Sequence, residues 1–176
     1  EGGHQSLWLA SSERSHYRPL AGDATVDVAV IGGGIAGLTT ALRLKEEGKR
    51  GAVSEAGRIV EGVTAYTTAK ITSLHGLIYD HLERTFDAET AQLYAQANQA
   101  ALDLVARTVG RYRIDCDFER AAAFTYTTSP AEVEQIEAEV EAARKAGLDA
   151  RLTNDTTLPF PVAGAVRLDN QAQFHP

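Results

Sequence analysis

The stretch Val26-Asp27-Val28-Ala29-Val30-Ile31-Gly32-Gly33-Gly34-Ile35-Ala36-Gly37 sets the reading of the whole chain. Apolar residues over 26–31 predict a strand, the G-x-G-x-x-G spacing predicts a tight turn, and residues 38–48 predict a helix. A second strand, Gly51-Ala52-Val53-Ser54, closes on Glu55, which lies 18 residues past Gly37. Each glycine has a separate reason. Gly32 suits a sharp strand-to-helix turn, Gly34 leaves bare backbone for a diphosphate, and Gly37 allows the helix to pack closely on the strand. The helix start, through Ile35 and Ala36, offers unpaired N–H groups and a positive dipole end to phosphate oxygens. A carboxylate at Glu55 can take both hydroxyls of an adenosine ribose. The arrangement suits an adenine dinucleotide.

Working outward, Ile35, Leu38, Ala41 and Leu42 recur at helical spacing and mark the face expected to be buried, with Gly48 placed for a left-handed cap. Gly51 and Ser54 stand where a strand covered on both faces usually carries Val, Ile or Leu. The following segment carries Ala56 and Arg58, then Thr64, Thr67, Thr68, Lys70, Thr72 and Ser73. Hydroxyls and one ammonium at this density suit a loop that wraps a phosphate or a polar ring edge, and equally a solvated loop that caps the next helix.

Residues 75–111 predict one or two helices, with a break at Asp87 acting as a new N-cap. His75 and His81 do not share a helical face, so no metal pair is expected. Ile114-Asp115-Cys116-Asp117-Phe118 and Ala122-Ala123-Phe124-Thr125-Tyr126-Thr127 read as short strands. Ser129-Pro130-Ala131-Glu132 predicts a capping box and helix start, and Gly147 its end. A further strand is expected at Gly164-Ala165-Val166-Arg167-Leu168. Before all this, residues 6–23 form an arm without a period, expected to be extended and anchored by Trp8 and Tyr17. Glu1-Gly2-Gly3-His4, with no methionine anywhere, reads as a processed end or an expression scar.

Bulk properties exclude several classes. The net charge is −7 with 44% hydrophobic residues, and Lys and Arg are scattered, which argues against nucleic acid or an anionic membrane as partner. One cysteine, Cys116, allows no internal disulfide and no cysteine metal cluster; the expected setting is reducing and cytoplasmic. No apolar run approaches the roughly 20 residues that span a bilayer.

Taken together, the chain resembles the N-terminal part of FAD-dependent oxidoreductases of the D-amino-acid-oxidase-like family, in the bacterial branch that carries a C-terminal Rieske domain. The resemblance rests on 28–37, on Glu55-Ala56-Gly57, and on Thr67-Thr68-Ala69-Lys70-Ile71-Thr72-Ser73-Leu74-His75-Gly76. Tyr94-Ala95-Gln96-Ala97-Asn98 and Ile114-Asp115-Cys116-Asp117-Phe118 extend it.

The resemblance implies an α/β fold: a Rossmann-like FAD-binding βαβ unit, then helices, then the start of an α+β substrate domain, truncated. It divides the chain into an arm (1–25), a partial FAD-binding domain (26–113) and the first part of a substrate domain (114–176). It places Gly32, Gly34, Ile35, Ala36 and Gly37 at the FAD pyrophosphate, Glu55 with Ala56 at the ribose, and Arg58 near the adenine. Thr64, Thr67, Thr68 and Lys70 would run beside the pyrophosphate towards the flavin. It supplies no catalytic residue within the chain, no metal ligand, and a Rieske [2Fe-2S] centre only in the parent protein. The expected partners are a small-molecule substrate and either the remainder of the parent chain or a second copy. Ala65 stands where the branch leads one to expect glycine, a doubtful position if a positive φ is needed there. Two other readings use the same turn: a nicotinamide-dependent dehydrogenase, and a non-catalytic fragment or interaction module with a vestigial dinucleotide site.

Overall fold

The computed structural model describes residues 5–176; the processed end read at Glu1-Gly2-Gly3-His4 lies outside the described residues. The chain forms two compact units, one running to Thr68 and including Pro176, the other Ala69–His175.

The first unit opens with a short helix α1 (Leu7–Ser11), so the arm is not extended throughout. Ser6 starts it, its hydroxyl accepting the Trp8 N–H. Tyr17, expected as an anchor, is 77% exposed. Strand β1 (Val28–Ile31), helix α2 (Ile35–Glu46) and strand β2 (Gly51–Ser54) then form the anticipated βαβ unit. The strands are parallel, with Val28 opposite Gly51 and Ile31 opposite Ser54. Helix α2 begins at Ile35, where its apolar period starts and three residues before the predicted start at Leu38, because Gly34 already provides the first turn's carbonyl to Leu38 N–H (3.0 Å). Gly48 takes the expected left-handed conformation at φ +75°.

Burial departs from the double-sided cover expected of a central parallel sheet. Residues of β1 alternate between half-buried and exposed, Ile31 is 83% exposed, and all of β2 is exposed. Helix α2 covers one side only and buries no residue fully; Ile35, expected on its inner face, is 49% exposed. In that setting Gly51 and Ser54 cost little, since neither has an apolar layer to complete. Among the described residues Ala65 is the one buried apolar side chain of this unit.

The second unit holds the core. Strand β3 (Lys70–Ile71) leads to helices α3 (Ile78–Thr85) and α4 (Ala88–Tyr112). The break between them falls at Asp87, whose side chain accepts the Thr90 N–H at 2.7 Å, as a cap should. Strand β4 (Glu119–Thr127), helix α5 (Val133–Lys145), strand β5 (Ala150–Thr153) and strand β6 (Gly164–Gln173) complete it. All pairings are antiparallel: β6 takes β4 along one edge and both β5 and β3 along the other. Leu74, Tyr79, Ala91, Ile136, Val140, Val166 and Leu168 pack into one cluster of helices on sheet. Glu139, from α5, is fully buried and accepts the Tyr79 and Asp80 N–H groups (3.0 and 2.8 Å) at the start of α3. Burial pushes its carboxyl up, and those two N–H donors oppose the shift.

Two local expectations fail for identifiable reasons. The strand expected over 114–118 does not form, because Arg113 (φ 52°) and Asp117 (φ 49°) are left-handed and break the extended backbone on both sides. The strand read from Ala122 is real and begins earlier, with a bulge between Ala121 and Ala123. Ser129 makes no side-chain cap; Glu132 instead accepts the Thr127 hydroxyl, and a 3₁₀ turn (Pro130–Glu132) precedes α5.

Candidate functional site

The site is built at the corner between β1 and α2. Gly32 stands at φ +103°, a conformation that L side chains rarely adopt. A Cβ on Gly37 would lie 1.9 Å from the Gly32 carbonyl oxygen, so the helix can approach the strand this closely only without a side chain there. Close approach is therefore the reason for Gly37, as expected, whereas Gly32 has open space around a built Cβ and is required by its positive φ rather than by crowding.

Backbone bonds tie the corner to its surroundings. Gly32 N–H donates to Ser54 O (2.8 Å), and Val60 N–H donates to Gly33 O (2.9 Å). Glu55 is turned onto the corner: its Oε2 accepts the Gly33 N–H at 2.7 Å and its Oε1 the Gly57 N–H at 2.9 Å. These bonds, Gly33's foremost, hold its carboxyl below the usual glutamate range. Each carboxylate oxygen keeps lone-pair capacity for a further donor. The Gly34 and Ala36 N–H groups have no partner among the described residues, as the first turn of a helix dictates.

The polar loop lies opposite. A 3₁₀ turn (Val63–Tyr66) brings the Thr64 hydroxyl to 3.1 Å from the Ile35 nitrogen, where it accepts the N–H and keeps its own proton to donate. A Cβ on Gly34 would meet that hydroxyl at 3.3 Å. Gly34, Ile35, Ala36, Glu55, Arg58, Thr64 and Thr67 together line an open pocket of about 320 Å³. Arg58 is 43% exposed and only loosely engaged, 3.9 Å from Glu61.

Not every expected residue shares this lining. Gly32 and Gly37 shape the corner from behind, Ala56 is exposed beside Glu55, and Thr68 is exposed at the end of the unit. Lys70 belongs to the second unit, where it opens β3 opposite Gln173. Thr72 and Ser73, read as part of a polar loop, are buried there. Ala65 sits in the 3₁₀ turn and needs no glycine; the left-handed residue of this segment is Ala69, at φ 60°.

Sequence reasoning missed Val60, Gly62 and Val63, which complete the lining. Val60 is held left-handed at φ 58°, unusual for a β-branched residue, while its N–H closes on Gly33 O. Nothing in the local sequence announces that bend. Gly33 was also passed over as the x of the motif, although its N–H fixes Glu55.

Comparison with known proteins bears on the family and the fold. The FAD dependent oxidoreductase family pattern matches residues 27–176. The chain is 39% identical over 172 residues to the putative Rieske 2Fe-2S iron-sulfur protein YhfW of Bacillus subtilis (strain 168), covering 98% of this chain and 34% of that protein. It is 29% identical over 123 residues to gamma-glutamylputrescine oxidoreductase of Escherichia coli (strain K12), covering 69% of this chain and 29% of that one. The fold is similar to glycine oxidase from Geobacillus kaustophilus, with a TM-score of 0.63 at 19% identity, over 85% of this chain and 40% of that one. The chain thus spans about a third of the length of the curated relatives it matches. With a glycine corner, a facing acid and a match over nearly all of its length, the chain belongs to the FAD-dependent oxidoreductase family.

Proposed function

We propose that this chain is the FAD-binding N-terminal portion of a flavin-dependent oxidoreductase that oxidises a C–H bond next to an amine or hydroxyl. The observation that carries the reading is Glu55, fixed by Gly33 and Gly57 N–H groups beside a helix start whose Gly34 and Ala36 N–H groups are unengaged. The residues present fit the adenosine-diphosphate part of FAD. Bare backbone at Gly34 admits a phosphate, the Thr64 hydroxyl and helix N-terminus donate to its oxygens, and Arg58 adds positive charge. Glu55 accepts the ribose hydroxyls. Gly32 and Gly37 keep the corner tight, and Ala56, Thr67 and Thr68 complete the proposed contact set.

FAD, when bound, supplies the hydride-accepting ring; the chain supplies its placement. Residues 26–113 act as the FAD-binding domain and 114–176 as the first part of the substrate domain. An amine-bearing small molecule is favoured as substrate by the names of two similar proteins, gamma-glutamylputrescine oxidoreductase and glycine oxidase. The parent protein carries a Rieske centre in this reading, following the description of the B. subtilis relative. The single Cys116 of this chain does not supply its ligand set, and fits a reducing, cytoplasmic setting. The exposed β1–β2 sheet pairs with further polypeptide, from the parent protein or a second copy.

Flavin absorbance of the purified protein, followed by FAD titration of flavin-stripped material, tests the reading. Saturable binding that is weakened by Glu55→Ala is expected. A protein that takes up no FAD at excess cofactor refutes it. No helix among the described residues is long and apolar enough to cross a membrane.

A further inference from the structure

We propose that the N-terminal arm is a positioning element of the cofactor pocket, with Ser6 and Trp8 holding residues 63–67 in the shape that presents Thr64 and Thr67 to the nucleotide. The inference rests on the FAD reading above. Packing holds α1 only in part, since Trp8 and Leu9 are half-buried and none of its residues is fully buried. Two directed bonds add to it. The Ser6 hydroxyl donates to Ala65 O, and the Trp8 indole N–H donates to Thr67 O at 2.9 Å.

These carbonyls flank Tyr66 in a segment that also carries the buried Ala65 and the Thr64 hydroxyl bonded to Ile35 N–H. Val63 is 86% and Tyr66 62% exposed. Within the turn itself Ala65 N–H closes on Gly62 O. The placement of this segment decides whether the Thr64 hydroxyl meets Ile35 N–H and whether Thr67 reaches the pocket. The arm also reaches Glu61, through Arg14 at 3.8 Å, and Glu61 is the acid nearest Arg58. No arm residue lines the pocket, so the arm acts through the loop. Because FAD and the arm both favour one loop shape, each strengthens the other's attachment.

The test uses flavin-stripped intact protein and measures the Kd for FAD in the wild type, Trp8→Phe, Ser6→Ala/Trp8→Phe and Ser12→Ala. Trp8→Phe keeps a smaller aromatic ring and removes the N–H together with the five-membered ring that carries it. Ser12→Ala alters a bond from the Ser12 hydroxyl to Trp8 O at the helix end, but touches no loop atom. The expected Kd rises about threefold in Trp8→Phe and about tenfold in the double variant, with Ser12→Ala unchanged. Hydrogen exchange over 63–68 is faster in the double variant, and FAD slows exchange over 7–11 in the wild type. A wild type that takes up no FAD refutes both this inference and the functional reading. A wild type that binds, with Trp8→Phe and the double variant matching it or Ser12→Ala weakened as much as Trp8→Phe, refutes the arm's role alone.

Discussion

Gly37→Ala is the most exacting perturbation of the corner. The added Cβ would sit 1.9 Å from Gly32 O and 3.1 Å from Gly32 C, with Val30 Cγ1 at 3.4 Å. Neither backbone atom can turn aside like the tip of a side chain, so α2 and the turn must separate by on the order of 1 Å. Overpacking of this kind costs about 1–3 kcal/mol. If the cost falls on the bound geometry, FAD affinity drops by about 5- to 150-fold. A matched control exists in Gly110→Ala. That position is inside α4, meets nothing within 4 Å and has no positive φ. The same substitution there should stabilise by about 0.5–1 kcal/mol. FAD titration and melting curves with and without FAD compare the two. A Gly37→Ala protein that binds FAD as the wild type does, and gains the same thermal shift on binding, would refute the reasoning that close approach at this corner shapes the site.

Further outcomes are expected elsewhere. The Glu55 carboxyl is depressed by the Gly33 and Gly57 N–H groups, so its contribution is complete above the ordinary glutamate value of about 4.3 and is lost as pH falls through the lower folded value. Melting temperatures of Glu55→Gln should accordingly change less than those of the wild type when pH is lowered below that range. Glu139→Leu leaves the buried Tyr79 N–H and the half-buried Asp80 N–H at the start of α3 without an acceptor, and urea unfolding should register a loss of about 2–4 kcal/mol; an unchanged midpoint would count against the clasp. Ala69→Gly should stabilise the second unit by about 1 kcal/mol, because the residue is left-handed at φ 60°; chemical denaturation would measure it.

The corner was legible because its constraints are local. Gly32 and Gly37 are needed by a turn and a close approach, and Glu55 bonds back onto that corner; all three fall within 30 residues, so spacing alone exposes them. The break at Asp87 and the cap at Gly48 are legible for the same reason. What was hidden depends on distant partners. The bend at Val60 exists because a carbonyl at Gly33 receives its N–H, and the Ser129 cap fails because Thr127 engages Glu132. Residues 114–118 carry a strand-like pattern, yet left-handed backbone at Arg113 and Asp117 overrides it. The polar segment 64–73 reads as one loop, but the boundary between the two compact units falls inside it, after Thr68. Composition carries no sign of that division.

The lopsided distribution of buried side chains has a consequence for how the protein ages in a cell. The second unit keeps its shape from its own interior, whereas the first has Ala65 as its one enclosed apolar group among the described residues. On the reading advanced above, that first unit is held by the polypeptide that pairs with its β1–β2 sheet and by the nucleotide, and a ligand present at 100 times its Kd adds about 2.7 kcal/mol. Vitamin shortage would then be felt as shortened lifetime before it is felt as slowed turnover, with proteases clipping ahead of Ala69 and leaving the helix-on-sheet remainder behind.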